Sequence, residues 1–458
     1  MFGLFYTKCP LNTWEKTWTE TRMIWLAEQF GIERMLKAPV VLPNEEFFPD
    51  EYEPSEEGVQ RVLSRVCGYM EIPVSSVELA ITWEEHMPGA AGMYHPPGPG
   101  QKTLIRVSTN QLLELQRLIA TLAHELSHVL LLGGGKIDPS VSDHEWITDL
   151  LPVFLGIGIF AANVTVHEKL TPLWWTIRKQ GYLPSRILGY ALALFAHMRG
   201  ETRPRWKNEL RLDAATALNK GLRFIDEGSD CLFHRDTWTP SPSSPTESEL
   251  IEHLETGTPS RRLATLWEIQ NRSIRGPQCM AAIVSRLQDR DGSVAGEAAR
   301  TIAEFGEAAK GTSAELRSVL HSRHAEARAG AASALGTLLT EPDHTVPELC
   351  RMINDSDRNA QYYAIQAIAQ FKTPIDPRSL HQLLATLENA MIVCDFQMES
   401  IIIHALMTVC EKPEECIREL MPRRDEELQR AALVAIKEYR KNPVDWASGG
   451  PIESKTPR

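Results

Sequence analysis

The sequence lacks a basic surplus and any closely paired cysteines. Its 458 residues include 60 acidic and 48 basic side chains, a formal charge of −12. A protein that holds nucleic acid through phosphate contacts needs a basic surface, so this balance argues against that class. The eight cysteines form no Cys-x-x-Cys pair, which favours free thiols in a reducing compartment over a disulfide scaffold or a thiolate metal site. We therefore expect a cytoplasmic protein with no nucleic-acid partner.

The sequence shows no pattern typical of a membrane anchor or of a secretory signal. The most apolar stretch, residues 150–164, is shorter than the roughly 20 residues that a bilayer helix needs, and it contains Pro152. The first eight residues have no basic run followed by an apolar core. The sequence predicts a core helix over residues 150–164, no membrane association and no export.

Length and local composition divide the chain into two folded parts. A chain of 458 residues is too long for a single core. Residues 236–250 are polar and rich in Ser, Thr and Pro, which is typical of a linker. We predict a first domain over residues 1–235, a second over residues 251–441, and a disordered tail over residues 442–458.

The first domain is predicted to combine helices with a small sheet. Residues 76–83 and 103–108 alternate apolar and polar side chains, which predicts two strands in a hairpin or an edge pair. Ser108 or Thr109 is the expected N-cap of the helix that follows, and the glycine run at Gly133 its terminator. Helical spacing covers four segments: residues 12–36, 59–70, 110–132 and, with interruptions at prolines, 146–226.

The segment His124-Glu125-Leu126-Ser127-His128 carries the clearest chemical signal. Two histidines four positions apart project from one helical face, so both imidazoles can bind one zinc ion. From beside them, Glu125 can take a proton from a zinc-bound water that attacks a polarised carbonyl. About 0.06 copies of this motif are expected by chance at this composition. Its apolar neighbours indicate burial, which is costly for these side chains without a ligand, so we predict zinc as the cofactor.

A catalytic zinc also requires a third protein ligand and an open coordination position. Glu145 lies at the start of the next predicted helix, and Asp149 lies four residues later on the same face. Glu145 can bind the ion while Asp149 accepts a hydrogen bond from the outer nitrogen of a zinc-bound histidine. His144 and Asp143 are rival candidates for the third ligand.

Together these two segments resemble the gluzincin metallopeptidases, in which a helix with His-Glu-x-x-His precedes a helix with Glu-x-x-x-Asp. The resemblance covers residues 75–165 and implies a zincin-like α+β fold. It implies that His124, His128 and Glu145 bind zinc, that Glu125 is the general base, and that Asp149 supports a ligand. The 17-residue spacing from His128 to Glu145 is shorter than is usual in that family. The sequence contains neither Gly-x-Met-Glu-Asn, typical of the aminopeptidase branch, nor the metzincin extension, so exopeptidase activity is unsupported.

The resemblance carries two further expectations about the substrate. The strand at residues 103–108 is expected to pair with an extended peptide, an ordinary sheet strand being the alternative. A hydroxyl or cationic donor is expected to stabilise the oxyanion, and Tyr190, His167 and His197 are the candidates, with a structural role open for each. Tyr190 lies in an apolar helical stretch, residues 187–196, which favours a packed tyrosine.

The second domain is predicted to be an all-α array of repeats. The pairs Thr301-Ile302, Ala334-Leu335 and Ala367-Ile368 follow one another at 33-residue intervals, a constant step that indicates two-helix units stacked into a solenoid. Their aspartate-rich turns and Ala-x-x-Ala-Leu/Ile patterns resemble HEAT repeats, and armadillo-like repeats are the nearest alternative. Looser copies lie at Thr265-Leu266, Ala405-Leu406 and Ala435-Ile436.

The sequence supports two hypotheses about function. The first is a zinc metallopeptidase acting on a peptide or protein substrate, whose repeats bind that substrate or a protein partner. The second is a non-catalytic repeat protein in which the metal site is structural or silent. Glu125 favours the first, because a structural site needs no general base. The same chemistry would also hydrolyse other amides or esters, and the sequence does not select the substrate, the cleavage preference, or endo- over exopeptidase action.

Overall fold

The computed structural model describes residues 7–87, 90–164, 166–171, 174–179, 182–228, 230–240, 244–420 and 426–441; side chains are described for these except at residues 84, 166–171 and 174–179. The chain forms two compact units, residues 1–242 and 243–458. Their boundary lies inside the predicted linker at residues 236–250. The predicted tail at residues 442–458 lies outside the described residues.

The first unit contains helices and two small sheets. Its helices are α1 (Thr13–Phe30), α2 (Ile32–Lys37), α3 (Glu56–Tyr69), α4 (Leu115–His128), α5 (His144–Phe154), α6 (Gly158–Val164), α7 (Ser185–Met198) and α8 (Leu212–Glu227). Its strands are β1 (Val77–Thr82), β2 (Gly92–His95), β3 (Thr103–Ser108), β4 (Val166–Thr171) and β5 (Trp174–Lys179). The predicted combination of helices with a small sheet is confirmed.

The pairing of the strands differs from the predicted hairpin. β1 and β3 are parallel, with Val77 opposite Thr103, and β2 pairs antiparallel with the other side of β3, with Gly92 opposite Val107. The order β1-β3-β2 makes β3 the central strand. Both of its edges are already hydrogen-bonded, so the prediction that a peptide adds to residues 103–108 is wrong. Among the described residues, β2 is the edge strand on that side of the sheet.

The helix that carries His124 and His128 begins later than predicted. Ser108 precedes a short 3-10 turn, Thr109–Gln111, and α4 itself starts at Leu115 with no side-chain cap. Its apolar face is fully buried, which fixes the rotation of the helix about its axis. After His128 the helix widens into a π-helical turn, Val129–Gly133, which ends at the predicted glycine terminator.

The predicted helical character of residues 146–226 is interrupted by a strand pair. β4 and β5 form an antiparallel pair, with Val166 opposite Lys179. The predicted core helix at residues 150–164 is divided between α5 and α6, which are separated by Gly156 with φ 80°. Across the described residues, we find no helix with both the length and the apolar character needed to cross a bilayer.

The second unit consists of helices joined by short turns. They are α9 (Glu247–Thr256), α10 (Pro259–Asn271), α11 (Pro277–Ser285), α12 (Gly292–Ala303), α13 (Ser313–Val319), α14 (Ala325–Leu338), α15 (Pro342–Arg351), α16 (Arg358–Phe371), α17 (Pro377–Ile392), α18 (Phe396–Val409), α19 (Pro413–Leu420) and α20 (Glu426–Lys441). The predicted repeat pairs lie on the even-numbered helices from α10 to α20. The second residue of each pair is completely buried, so the predicted helical-hairpin repeat is confirmed.

The repeat also appears in the backbone conformation. Ser273, Gly306, Leu339 and Lys372 all have φ between 52° and 56°, and they follow one another at 33-residue intervals. Each lies in the turn just after α10, α12, α14 or α16. A left-handed residue ends a helix sharply and turns the chain back, so one conformational device is used in four successive repeats.

Arginine–aspartate pairs join successive repeat units. Arg328 on α14 makes a two-pronged contact with Asp355, with Nη2 2.6 Å from Oδ1 and Nε 2.7 Å from Oδ2. Equivalent pairs connect Arg262 with Asp289 and Arg358 with Asp395. Asp355 also accepts the backbone N–H of Asp357. These aspartates therefore hold both the turn and the neighbouring helix.

Candidate metal centre

Three of the predicted ligands converge in the first unit. His124 and His128 project from one face of α4, and Glu145 lies in the first turn of α5. Glu145 Oε2 lies 3.3 Å from His124 Nε2 and 3.5 Å from His128 Nε2. One donor atom from each residue lies within 4.8 Å of the other two. The structure therefore brings together two imidazole nitrogens and one carboxylate oxygen.

The chemistry of this cluster fits a divalent cation. Glu145 Oε2 is buried and has no hydrogen-bond partner of acceptable geometry, although it lies beside both imidazoles. A buried carboxylate oxygen without a partner is unfavourable. A cation placed among the three atoms would satisfy that oxygen, and two histidines with one glutamate form a donor set that catalytic zinc uses.

Asp149 determines which nitrogen of His124 faces the cluster. Its Oδ1 lies 2.8 Å from His124 Nδ1. Because an ionised carboxylate can only accept, Nδ1 carries a hydrogen, and Nε2 is the nitrogen that faces Glu145 and is left to bind a cation. The other carboxylate oxygen accepts the backbone N–H groups of Tyr182 and Leu183, at 2.6 and 2.9 Å. Asp149 lies where the sequence predicted the supporting residue.

His128 has an outer contact that the sequence analysis missed. The Thr148 hydroxyl lies 3.5 Å from His128 Nδ1, and it donates to the backbone carbonyl of His144. Thr148 and Asp149 are adjacent on α5, so the helix that carries the predicted third ligand, Glu145, also supplies an outer neighbour for each histidine. Threonine at this position belongs to no motif, and only the packing of α4 against α5 identifies it.

Electrostatics within the cluster favour a proton on His124 when no cation is bound. Burial lowers the pKa of His124, but the hydrogen bond with Asp149 and the nearby carboxylate of Glu145 outweigh it and raise the pKa well above its usual value. Burial would raise the pKa of Glu145, yet its contacts with His124 and His128 lower it strongly. The carboxylate is therefore ionised, and the cluster attracts positive charge.

The side chain of Glu125 extends from α4 towards Gly92 on the edge strand β2. It is 4% exposed, and burial raises the pKa of its carboxyl group despite the nearby histidines. The nearby backbone of Tyr94 partly offsets this rise in pKa. A Cβ atom at Gly92 would lie only 2.5 Å from Glu125 Oε1. The carboxylate therefore occupies space that exists because residue 92 has no side chain.

The rival third ligands have other contacts. Asp143 Oδ2 accepts hydrogen bonds from Trp18 Nε1 at 2.8 Å and Arg22 Nε at 2.7 Å, so its carboxylate is engaged with α1. His144 Nδ1 lies 2.9 Å from the carbonyl oxygen of Val141, and its Nε2 lies 3.2 Å from Glu145 Oε1. His144 thus contacts the remote carboxylate oxygen, and neither residue joins the three-atom cluster.

Two of the predicted oxyanion donors, Tyr190 and His197, have partners elsewhere in the unit. Tyr190 is completely buried, and its hydroxyl donates to Glu20 Oε1 at 2.6 Å. That carboxylate also pairs with Lys16 at 3.2 Å, so Tyr190 belongs to a second polar cluster, against α1. His197 Nε2 accepts the backbone N–H of Arg235. The side chain of His167 lies outside the described residues.

Two tyrosines that the sequence analysis did not select flank the histidines. The Tyr182 ring stacks on His124, with centroids 5.9 Å apart and an interplanar angle of 21°. On the other side, the Tyr94 ring lies 5.7 Å from His128. Tyr94 lies on β2, and Tyr182 follows a strand pair that the sequence did not reveal.

Comparison with known proteins supports the repeat class for part of the second unit. Residues 313–391 match the family model of HEAT repeats, a class of helical repeats that typically mediates protein–protein interaction. No curated protein matches the chain. A crystal structure of an engineered protein is similar, with 18% sequence identity and a TM-score of 0.31, covering 43% of this chain and 98% of that one.

Proposed function

We propose that this chain is a zinc-dependent hydrolase, most simply a peptidase, with a helical-repeat unit that binds its substrate or a protein partner. The observation that carries the proposal is the position of Glu145 Oε2, which is buried without a hydrogen-bond partner beside two histidine nitrogens. The buried carboxylate of Glu125 on the same helix adds a base, which a purely structural site would not require.

Each residue of the cluster has a separate role in the proposed reaction. His124, His128 and Glu145 would hold the cation, and Asp149 keeps His124 in the required tautomer. A bound zinc ion would polarise a substrate carbonyl and lower the pKa of a coordinated water to about 7. Glu125 accepts the proton of the attacking water and returns it to the leaving nitrogen. Burial raises its pKa, which suits a group that must take up and release a proton near neutral pH.

The edge strand β2 offers a surface for an extended peptide. β3 occupies one side of β2, and within the described residues no strand pairs with the other. A peptide added there would lie along Gly92 and Met93, beside the carboxylate of Glu125. Main-chain hydrogen bonds would align it without demanding a particular side chain. This arrangement favours a peptide over a small ester or amide.

The second unit supports a binding role. A stack of helical hairpins presents an extended surface formed by equivalent residues of successive repeats. We infer that it binds the substrate protein or a separate regulator. All eight cysteines are free thiols, which supports a cytoplasmic location.

The decisive experiment compares the full-length protein with its Glu125→Gln variant. Metal content is measured by mass spectrometry of the purified proteins, and hydrolysis by digestion of a peptide library with and without added Zn²⁺. We expect about one zinc per chain in both proteins and cleavage by the parent alone. Glu78→Gln, which removes an exposed carboxylate from β1, is the matched control and should cleave like the parent.

Two outcomes would contradict the proposal. Equal cleavage by Glu125→Gln and the parent would remove the catalytic role of that residue, and absence of zinc from both would remove the metal centre. The alternative is a non-catalytic interaction protein, which the confinement of the family match to residues 313–391 favours. Zinc in both proteins with cleavage in neither would support that alternative.

A further inference from the structure

Residues Tyr182 and Leu183 hold His124 in two independent ways. Their backbone N–H groups both donate to Asp149 Oδ2, while Oδ1 of the same carboxylate contacts His124 Nδ1. The Tyr182 ring also stacks on the imidazole itself. Tyr182 and Leu183, just before α7, thus act on His124 through the Asp149 carboxylate and through an aromatic face.

The two backbone donors fix the orientation of Asp149. A carboxylate on a short side chain can rotate about its last bond, and a rotation would move Oδ1 away from the imidazole. Amide hydrogens on Oδ2 oppose that rotation because both bonds would be lost. Asp149 is only 6% exposed, so water could not readily replace the lost donors.

The stacked ring acts on the remaining freedom of His124. An imidazole held only through Nδ1 can still tilt about that hydrogen bond, which would move Nε2 relative to the other two ligands. Tyr182 lies nearly parallel to one face of the ring and limits this tilt, while His128 lies edge-on at 4.9 Å. Tyr182 is 48% exposed, so its own truncation would open no core cavity.

We propose that Tyr182 is a positioning residue for His124, and that its aromatic ring increases the affinity of the site for a divalent metal ion. The proposal rests on the metal-binding half of the proposed function and is independent of the hydrolytic half. The ring, and not the hydroxyl group, carries the effect. Phenylalanine should therefore replace Tyr182 without loss, whereas alanine should not.

The test measures the affinity of the full-length protein for Zn²⁺ by competition with a chromogenic chelator. An aromatic contact of this geometry has a modest energy, and outer residues of metal sites tune affinity by larger factors, so we expect Tyr182→Ala to weaken binding by about 3- to 10-fold. Tyr182→Phe should bind like the parent. Trp83→Ala, which removes a 70%-exposed aromatic side chain from the same unit, is the matched control and should leave the affinity unchanged.

A second measurement separates positioning from general destabilisation. Co²⁺ substituted for Zn²⁺ gives visible absorption bands that depend on ligand geometry. We expect Tyr182→Ala to shift or weaken these bands, Tyr182→Phe to restore them, and the thermal midpoints of the metal-free proteins to agree.

The proposal is overturned if Tyr182→Ala binds Zn²⁺ as tightly as the parent, or if Tyr182→Phe loses as much affinity as alanine. Absence of metal binding by the parent would overturn it together with the proposed function. Zn²⁺ bound with the expected order of affinities but no peptide cleaved would refute the hydrolase and leave the role of Tyr182 intact.

Discussion

Gly92 on β2 and Glu125 on α4 are in such close contact that no side chain can be added at residue 92 without displacing the carboxylate. An ideal Cβ there would lie 2.5 Å from Glu125 Oε1 and 2.7 Å from Glu125 Cγ. Thr121 Cγ2 closes the same space at 2.8 Å. The proposed base therefore keeps its position because residue 92 has no side chain that would displace it.

We predict that Gly92→Ala impairs hydrolysis without removing the metal. The added methyl group must push Glu125 away from β2, and a displacement of about 1 Å in a reacting group lowers turnover by about 100-fold. The three atoms nearest to that methyl group belong to Glu125 and Thr121 and not to a proposed ligand, so zinc content should stay at the parent level. Turnover and metal content are measured on the same preparation.

Gly68→Ala is the matched control for this substitution. Gly68 lies in α3, and an ideal Cβ there meets nothing within 4 Å. Alanine is a better helix former than glycine, so the control should be at least as stable as the parent and equally active. Parent-level turnover in Gly92→Ala would show that Glu125 does not need its present position.

A second prediction concerns Asp149→Asn. An amide group has one accepting and one donating end, whereas Asp149 accepts at both oxygens, from His124 Nδ1 and from two backbone N–H groups. Either orientation of asparagine therefore places a donor against a donor. We expect Zn²⁺ affinity to fall by about 10- to 100-fold, as measured by chelator competition.

The control for that substitution is Asp138→Asn. Asp138 is exposed and hydrogen-bonds to Ser140, away from the metal cluster. Its replacement removes the same charge from the unit and should leave metal affinity at the parent level. If Asp138→Asn weakens binding as much as Asp149→Asn, net charge and not the tautomer of His124 would control affinity.

The positions of the three proposed ligands could be inferred from the sequence because local helix geometry determines most of them. His124 and His128 are four residues apart on one helix, and the burial of Leu122 and Leu126 fixes the direction in which that helix faces. The start of α5 next to Glu145 follows from the break that the glycine run imposes. The sequence could not predict that α4 and α5 pack against each other, which brings Glu145 to the two histidines.

The parts that the sequence did not reveal depend on contacts between distant segments. β2 is a four-residue strand in a segment dense in glycine and proline, and it exists because β3 offers a free edge. β1 and β3 pair in parallel, whereas the hairpin suggested by the sequence would have made them antiparallel. Tyr182 contacts His124 only because the chain returns to α5 after β4 and β5. No local period encodes any of these contacts.

The left-handed turn residues of the second unit allow a reciprocal stability test. Lys372 and Gly306 occupy equivalent turns, with φ of 52° and 56°. A residue with a Cβ atom is strained there by about 1–2 kcal/mol, while glycine costs about 0.5–1 kcal/mol of extra chain entropy on folding. We predict that Lys372→Gly raises the free energy of unfolding by about 0.5–1 kcal/mol, measured by urea denaturation with pulsed hydrogen exchange.

Gly306→Ala is the reverse substitution in another repeat. An ideal Cβ at Gly306 meets nothing within 4 Å, so any effect arises from backbone conformation and not from a clash. We expect the free energy of unfolding to decrease by a similar amount. Changes of the same sign at both positions would contradict the strain argument.

The final prediction concerns the acid stability of the second unit. Burial would raise the pKa of Asp355, but its hydrogen bonds with Arg328 outweigh this and lower it. A carboxyl group with a lowered folded-state pKa stabilises the fold above its unfolded pKa of about 3.9, and this stabilisation is lost as pH falls through the folded value. We therefore expect the free energy of unfolding to decrease as pH falls below about 4.

Asp355→Asn should separate this contribution from the others. Asparagine cannot accept both guanidinium contacts and leaves Arg328, whose side chain is 15% exposed, with a poorer partner. We expect a loss of about 2 kcal/mol at pH 7 and a weaker dependence on pH below 4, again by pulsed hydrogen exchange over residues 325–371. Glu307→Gln breaks an ion pair whose acidic partner is 85% exposed and should cost less than about 1 kcal/mol. An unchanged acid dependence in Asp355→Asn would show that other carboxylates control the acid response of this unit.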